Sequence, residues 1–187
     1  PVGTGLIASL ARPGGNITGL SAATAEIAGK SLELLREIKP GLRRVAVVAL
    51  AGNLLTKPFI EQIEAVAREL KIEVKPSLVS GPDDFDAAFT TMTREAVEAV
   101  IVQPSVPYRR AIDLALRHKL LSVSVTRSFP EAGGLLSYAG NLTERYRGAA
   151  TYVAEILKGR KPAELPVGQP TKFELVINQK TARALDV

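Results

Sequence analysis

The 187-residue sequence has no cysteine and no tryptophan, and it has only one methionine and one histidine. The absence of cysteine excludes disulfide frameworks, thiol catalysis and thiolate metal sites. A single histidine argues against metal sites built from several imidazoles. We therefore expect no metal site and no catalytic thiol in this protein.

Long apolar runs are also missing. No stretch approaches the roughly 18 consecutive apolar residues that span a membrane, and the first residues do not have the pattern of a signal peptide. The sequence starts at Pro1 without a methionine and stops at Val187 inside a helical pattern. We expect it to be a piece of a longer polypeptide, so the missing targeting segment carries no information about localisation.

The composition that is present is typical of a globular protein. Hydrophobic residues make up 46% and charged residues 23% of the chain, and the mean hydropathy is +0.12, so disorder is excluded. The length predicts one domain, or one domain with pieces of a neighbour. The net charge is +5, but the basic residues are scattered singly or in pairs such as Arg43-Arg44. We therefore predict no nucleic-acid partner, since such interfaces cluster their basic residues.

Apolar β-branched runs alternate with helical patterns from residue 30 to residue 126. The apolar runs predict strands over residues 43–50, 72–79, 97–102 and 121–126. The helical spacing predicts helices over about 58–70, after Asp83, and from Pro107 to about 119. Such alternation predicts a doubly wound parallel sheet with helices on both faces, that is, a three-layer α/β/α architecture.

The flanks of this central region carry further elements. Too few residues lie between Thr126 and Leu135 for another helical crossover, so we interpret 135–138 as the path out of the domain. The alternative is an edge strand of different direction. A short helix over 5–10, a strand near 16–20, a helix over about 142–158 and a strand over 173–177 are also predicted.

Three local patterns have structural readings that we favour over catalytic ones. The sequence from Gly3 to Ala8 matches the dinucleotide pattern GxGxxA, but only Pro1 and Val2 precede it, so the strand that this mechanism requires is missing. His118 lies at the end of a predicted helix. Asp83 and Asp84 are typical of capping residues. We therefore predict no catalytic residues and no cofactor.

Aromatic and polar residues follow several of the predicted strands. Because parallel strands place their carboxyl ends at one edge of the sheet, the segments after them cluster where ligands bind in crevices. No nucleophile and base are paired there, so we predict a binding site for a small molecule. The predicted ligand-binding residues are Asn53, Gln103, Ser105, Tyr108, Arg127, Phe129, Glu131 and Tyr138.

Several segments, taken together, resemble one protein family. They are residues 1–19, the helix end at 34–41, and the segments 81–85, 131–141, 157–162 and 169–178. In this order they resemble ABC-transporter substrate-binding proteins of the tryptophan-binding type, and they span nearly the whole chain.

The resemblance implies a periplasmic or lipid-anchored receptor that is not an enzyme. Two doubly wound lobes close on a small solute and deliver it to ABC permease subunits in the membrane. Residues 22–139 correspond to the second lobe, whereas 1–21 and 140–187 correspond to crossovers and parts of the first lobe. Family members carry roughly a further hundred residues upstream, as expected from domain sizes. Pieces of a first lobe without their partners would favour a homodimer.

The resemblance also implies an amino acid or a related aromatic or amphiphilic solute. Backbone amides at helix N-termini would bind its carboxylate, Glu131 its ammonium group, and Tyr108, Phe129 or Tyr138 would stack on it. The turn at 50–53 departs from the Asn-Pro turn that is common in the family. Two other functions stay open: a cytoplasmic nucleotide-dependent α/β enzyme that uses the turn at 3–8, and a ligand-sensing regulator of the same bilobal fold.

Overall fold

The computed structural model describes residues 2–3 and 5–187. Its strands are β1 (Arg44–Leu50), β2 (Glu73–Val79), β3 (Ala99–Val102), β4 (Leu121–Ser124), β5 (Leu136–Gly140) and β6 (Phe173–Ile177). Its α-helices are α1 (Thr24–Ile38), α2 (Thr56–Leu70), α3 (Asp84–Arg94), α4 (Tyr108–Arg117), α5 (Ser128–Glu131), α6 (Leu142–Leu157) and α7 (Gln179–Ala184). A short 3-10 helix covers Pro162–Glu164.

The chain folds as two compact units. Unit 1 contains the described part of residues 1–23 together with 140–174, and unit 2 contains residues 24–139 and 175–187. The expected division grouped all of 140–187 in one segment. The structure instead places 175–187 in unit 2, where the Asn178 N–H donates to the Leu135 carbonyl at 2.8 Å and the Thr181 hydroxyl donates to the Gly133 carbonyl at 2.7 Å.

The sheet has the strand order β2-β1-β3-β4-β5-β6. β1 pairs in parallel with β2 and β3, β3 with β4, and β4 with β5. Every residue of β3 and β4 is buried, as expected for parallel strands that are covered on both faces. The predicted doubly wound α/β class is therefore confirmed.

Helices cover both faces of this sheet. Alternate strand residues point to opposite faces: Val45 and Val47 pack into one apolar cluster with α1 and α2, whereas Ala46 and Val48 pack into another with α3 and α4. We call these two sides the α1–α2 face and the α3–α4 face. Each cluster lies between helices and sheet, which gives the three layers that the sequence predicts.

The segment after β4 differs from its prediction. β5 pairs in parallel with β4, with Val123 opposite Leu136 and Ser124 opposite Ser137. The expectation that too few residues remain for a crossover is wrong, because the single turn of α5 is sufficient. The Leu135 N–H then donates to the Ser122 hydroxyl at 3.1 Å and guides the chain back into the sheet.

Two predicted elements near the start of the chain are wrong. Residues 5–10 form turns and bends rather than a helix, and the predicted strand near 16–20 is reduced to one bridge between Leu20 and Gly168. Thr4, which belongs to the GxGxxA pattern, lies outside the described residues. The described part of this pattern therefore lacks the helix that would bind a pyrophosphate.

None of the helices formed by residues 2–3 and 5–187 is long and apolar enough to cross a membrane.

Candidate functional site

The carboxyl edge of the sheet in unit 2 contains a topological switch point. β1 and β3 are neighbours in the sheet, but β1 continues into α2 on the α1–α2 face and β3 continues into α4 on the α3–α4 face. Such a reversal opens a crevice beyond the strand ends, where ligands bind in doubly wound folds. The segments 51–55 and 103–107 border this crevice.

Gln103 joins the two borders of the crevice. Its side-chain Oε1 accepts hydrogen bonds from the Leu50 N–H at 3.0 Å and from the Thr56 hydroxyl at 3.1 Å. Only 3% of Gln103 is exposed. The predicted ligand-binding residue thus holds the end of β1 and the start of α2 against the segment that follows β3.

Asn53 and Ser105 lie on opposite borders. The Asn53 Oδ1 accepts from the Leu55 N–H at 2.8 Å, and its carbonyl accepts from the Thr56 N–H at 3.0 Å. Asn53 is half-buried and Ser105 is exposed. The Asn53 carboxamide therefore shapes its own loop, while Ser105 is exposed on the other border.

Tyr108 begins α4 and contacts the segment after β4. Its hydroxyl donates to the Ser128 Oγ at 3.0 Å, and the Ser128 and Thr126 hydroxyl oxygens lie 3.2 Å apart. The Tyr108 ring packs edge-on against Phe129 at a centroid distance of 5.8 Å. The result is a chain of three hydroxyl groups beside a half-buried aromatic ring.

Phe129 lies below this chain of hydroxyls, inside the protein. None of its surface is exposed, and it belongs to the apolar cluster of the α3–α4 face. Gly134 packs so closely that a Cβ there would lie 2.2 Å from the Phe129 ring. The structure therefore places Phe129 as the support of Tyr108 rather than at the surface where a solute arrives.

Arg127 and Glu131 lie one helical turn apart at the same edge. The Arg127 Nε lies 2.9 Å from the Glu131 Oε1, and their side chains are 54% and 56% exposed. A surface pair of this kind contributes little to stability. In this structure the Glu131 carboxylate is paired with the Arg127 guanidinium.

Tyr138 lies apart from the other aromatic residues. It is on β5 and packs against the cluster of the α1–α2 face. The pKa of Lys30 on α1 is raised, mainly by its hydrogen bond to Glu33, and Tyr138 adds a smaller contribution. Tyr138 and Tyr108 are therefore on opposite faces of the sheet and do not form one aromatic wall.

Two hydroxyls at this edge were missing from the predicted ligand-binding residues, those of Thr126 and Ser128. β4 and its continuation read Leu-Ser-Val-Ser-Val-Thr over 121–126, so polar residues alternate with apolar ones. Since such alternation places the polar residues on one face, it could have located Thr126.

Two serines of neighbouring strands differ in their hydrogen bonds. The Ser124 hydroxyl donates to the Val102 carbonyl at 2.7 Å. Among the described residues, the buried Ser137 hydroxyl has no hydrogen-bond partner.

Two helix N-termini give this edge a positive potential. Neither α2 nor α4 has an acidic residue in its first turn, and no described side chain caps either of them. α3, by contrast, carries Asp84, whose carboxylate accepts from the Ser80 N–H. Helix N-termini attract anions, so the edge suits a carboxylate better than a cation.

Catalytic and metal-binding groups are not brought together at this edge. His118 ends α4 at the opposite end of that helix, where its Nδ1 lies 2.7 Å from the Thr93 hydroxyl. Within the described ranges 2–3 and 5–187, no group of three or more His, Asp or Glu side chains could hold a metal ion.

Unit 1 has a polar groove of its own. It is lined by Ser21, Asn141, Glu144, Arg145, Gln169 and Lys172, among others. Asn141 caps α6 by accepting from the Glu144 N–H at 2.8 Å. None of the predicted ligand-binding residues lies in this groove.

Comparison with known proteins gives one family. The family described as ABC transporter substrate binding protein matches residues 1–187. A curated relative, the "Tyrosine-binding protein" of Clostridioides difficile (strain R20291), is 23% identical over 191 residues, covering 100% of this chain and 54% of the relative. The chain therefore spans about half the length of that relative.

Two solved structures are similar over the whole chain. A conserved domain protein from Vibrio cholerae superposes with a TM-score of 0.90 at 26% identity, covering 100% of this chain and 64% of the other. The ABC domain in complex with L-Trp from Streptococcus pneumonia superposes with a TM-score of 0.89 at 25% identity, covering 100% and 65%. With a family match along its full length, this chain belongs to the ABC transporter substrate binding protein family.

Proposed function

We propose that the chain is part of an extracytoplasmic solute-binding protein that delivers a small solute to an ABC permease. The observation that carries this proposal is the family match over residues 1–187. It favours a binding protein over a nucleotide-dependent enzyme or a ligand-sensing regulator. Substrate-binding proteins of this kind act outside the cytoplasm and are not enzymes.

The solute that fits best is an aromatic amino acid. The uncapped N-termini of α2 and α4 suit its carboxylate, and the half-buried Tyr108 ring suits an aromatic side chain. The names of the relatives support the same class, because one is called tyrosine-binding and another was solved with L-Trp.

The predicted residues divide into two groups in this proposal. Ser105, Tyr108 and Arg127 contact the solute directly, with Asn53 at the opposite border and Glu131 as the acceptor for the ammonium group. Gln103 and Phe129 act through their neighbours, since both are buried. Tyr138 lies on the other face of the sheet, so this proposal assigns it no contact with the solute.

Binding and delivery are coupled through closure of the whole protein around its solute. A solute shifts an equilibrium between open and closed forms only by its differential affinity for the two. The permease then distinguishes the closed form from the open one. The edge of unit 2 supplies one wall of such a site.

A thermal-shift screen against amino acids and nucleotides tests this function. The screen is run on a longer polypeptide that includes these residues and has the length of the relatives, and it is run in parallel on the 187-residue chain. A ligand at 100 times its Kd should stabilise the longer protein by about 2.7 kcal/mol. A selective shift with tyrosine or tryptophan supports the proposal, whereas a shift with a nucleotide alone contradicts it.

A pair of matched variants tests the site. Tyr108→Phe removes the hydroxyl that contacts Ser128, and we expect about five- to tenfold weaker binding from the loss of one hydrogen bond. Tyr152→Phe is the control, because it removes a hydroxyl that donates to the Pro166 carbonyl in unit 1. Equal affinity for both variants would show that the Tyr108 hydroxyl does not contribute to binding.

A further inference from the structure

The end of the sheet opposite the candidate site has an excess of positive charge. There helices α1 to α4 end and strands β1 to β4 begin, over residues 36–44, 68–73, 94–98 and 117–121. We call this surface the amino edge. Its nine cations and five carboxylates are Arg36, Lys39, Arg43, Arg44, Arg68, Lys71, Arg94, Arg117 and Lys119, with Glu37, Glu69, Glu73, Glu95 and Glu98. In the rest of unit 2 the acidic residues outnumber the basic ones.

Backbone hydrogen bonds hold the four segments of the amino edge side by side. The Glu73 N–H donates to the Arg43 carbonyl at 2.8 Å, and the Glu98 N–H donates to the Arg44 carbonyl at 3.0 Å. The Leu121 N–H donates to the Glu98 carbonyl at 3.2 Å. The four strands therefore begin next to one another, and basic residues that are scattered along the sequence lie on one surface.

Several cations of the amino edge are not neutralised by a carboxylate. Two of the five carboxylates are engaged elsewhere: Glu98 accepts from two backbone N–H groups and pairs with Lys39 at 3.0 Å, and Glu73 pairs with Lys75 inside β2 at 2.7 Å. Within the described part of the chain, four exposed side chains make no hydrogen bond or ion pair, those of Arg43, Arg68, Lys71 and Arg94.

Two helices end on lysines in a backbone conformation that favours glycine. Lys71 after α2 and Lys119 after α4 both have a φ of 56°, where a side chain costs free energy that glycine does not. A cation near a helix C-terminus offsets the partial negative charge of about half a unit there. The nine cations of the amino edge exceed this need for four helix ends, so a net positive potential remains at the surface.

The composition of the amino edge decides between two classes of polyanion. Its four segments contain no aromatic residue, whereas proteins that bind single-stranded nucleic acid stack the bases on aromatic rings. An anionic membrane requires only cations within reach of a negatively charged plane. We propose that the amino edge of unit 2 is a docking surface for a membrane that contains anionic phospholipids.

Docking through the amino edge leaves the candidate site accessible. In the parallel part of the sheet the strands begin at one end and finish at the other, so the amino edge and the crevice at the carboxyl edge face in opposite directions. Membrane docking then uses none of the residues assigned to the solute. The proposal goes beyond solute binding and does not depend on it.

Cosedimentation with vesicles tests the proposal. The longer polypeptide, prepared without any lipid modification, is mixed with vesicles of phosphatidylcholine and phosphatidylglycerol or of phosphatidylcholine alone. We expect the parent to bind the vesicles that contain phosphatidylglycerol at low salt and to leave them at about 1 M salt, where charges are screened within a few ångströms. We expect no binding to phosphatidylcholine alone.

Two matched triple variants locate the surface. The amino-edge variant combines Arg43→Gln, Arg68→Gln and Lys71→Gln. The control variant removes the same charge from exposed positions in unit 1 by Arg12→Gln, Arg160→Gln and Lys161→Gln. All six positions are exposed, so both variants should keep the Tm of the parent.

The amino-edge variant should lose most of the binding. Each cation close to an anionic membrane strengthens binding about fivefold, so its three substitutions should weaken binding about a hundredfold, while the control variant stays close to the parent. No binding of the parent to phosphatidylglycerol, or equal losses in the two variants, would overturn the proposal. Tighter binding of the parent to a mixed-sequence single-stranded DNA than to these vesicles, at the same low salt, would identify nucleic acid as the partner and would also overturn it.

Discussion

Unit 2 and unit 1 differ in how completely their own residues bury them. In unit 2 every residue of β3 and β4 is buried, whereas in unit 1 the sixteen-residue α6 has no buried residue. Both units contain elements with clear apolar patterns. The comparison teaches that an apolar pattern predicts a helix, but not how deeply that helix is buried.

The largest effect expected from this difference concerns core truncation. Phe129→Ala in unit 2 should lower the free energy of unfolding by about 3–5 kcal/mol, because it leaves a cavity in a packed cluster. Leu157→Ala in unit 1, where the side chain is 82% exposed, should change it by less than about 0.5 kcal/mol. Urea unfolding of the 187-residue chain followed by circular dichroism measures both. Similar losses would mean that unit 1 has a core of its own.

A smaller effect is expected at the edge of unit 2. Gln103→Leu deprives the Leu50 N–H of its acceptor, and we expect a loss of about 1–3 kcal/mol from the unsatisfied buried group. Ser105→Ala, two residues away and exposed, serves as the control and should be neutral. A neutral Gln103→Leu would show that the two borders of the crevice are held together by other contacts.

A pH-dependent effect is expected from Glu98, next to β3. Partial burial tends to raise the pKa of its carboxyl, but the Arg43 and Arg44 N–H groups and Lys39 lower it on balance. A lowered folded pKa stabilises the protein above the unfolded value, and this contribution disappears as pH falls through the folded pKa. The stability difference between parent and Glu98→Gln should therefore be full at neutral pH and vanish in acid.

Urea unfolding at a series of pH values measures this difference. Glu73→Gln is the comparison variant: the pKa of Glu73 is also lowered, mainly by its hydrogen bond to Lys75, but the pair lies on the exposed edge strand β2, where solvent screening should leave a smaller difference. A difference for Glu98→Gln that stays constant from neutral to acid pH would contradict the role of its charge.

The smallest effect is expected for surface ion pairs in both units. Asp86 pairs with Arg110 in unit 2 at 2.7 Å, and Glu144 pairs with Arg147 in unit 1 at 2.9 Å. Exposed pairs contribute little and are screened by salt. Asp86→Asn and Glu144→Gln should leave the Tm unchanged within error. A clear loss in only one unit would mean that charge, rather than burial, separates the units.

The sequence predicts unit 2 well because its apolar runs are buried by neighbours in the same region. β1 and α2 begin and end close to where the pattern places them. The pattern fails at 5–10 and 16–20 in unit 1, where order depends on distant contacts such as the bridge from Leu20 to Gly168. No local spacing encodes a partner that lies so far along the chain.

The same distinction applies to the candidate site. The alternation of strands and helices places Asn53, Ser105 and Tyr108 at one edge, because parallel strands all end there. Burial depends on packing between elements, so the sequence does not separate the enclosed Gln103 and Phe129 from the exposed Ser105. It also does not show that β5 places Tyr138 on the opposite face from Tyr108.

The central claim is that a solute binds at the carboxyl edge of unit 2. Amide hydrogen exchange of the longer polypeptide, with and without L-tryptophan, tests this most directly. We predict that the amino acid slows exchange in residues 103–108 and 126–131 and leaves β2 unchanged. If tryptophan raises the Tm but exchange in both segments stays the same, the solute binds elsewhere and the claim is contradicted.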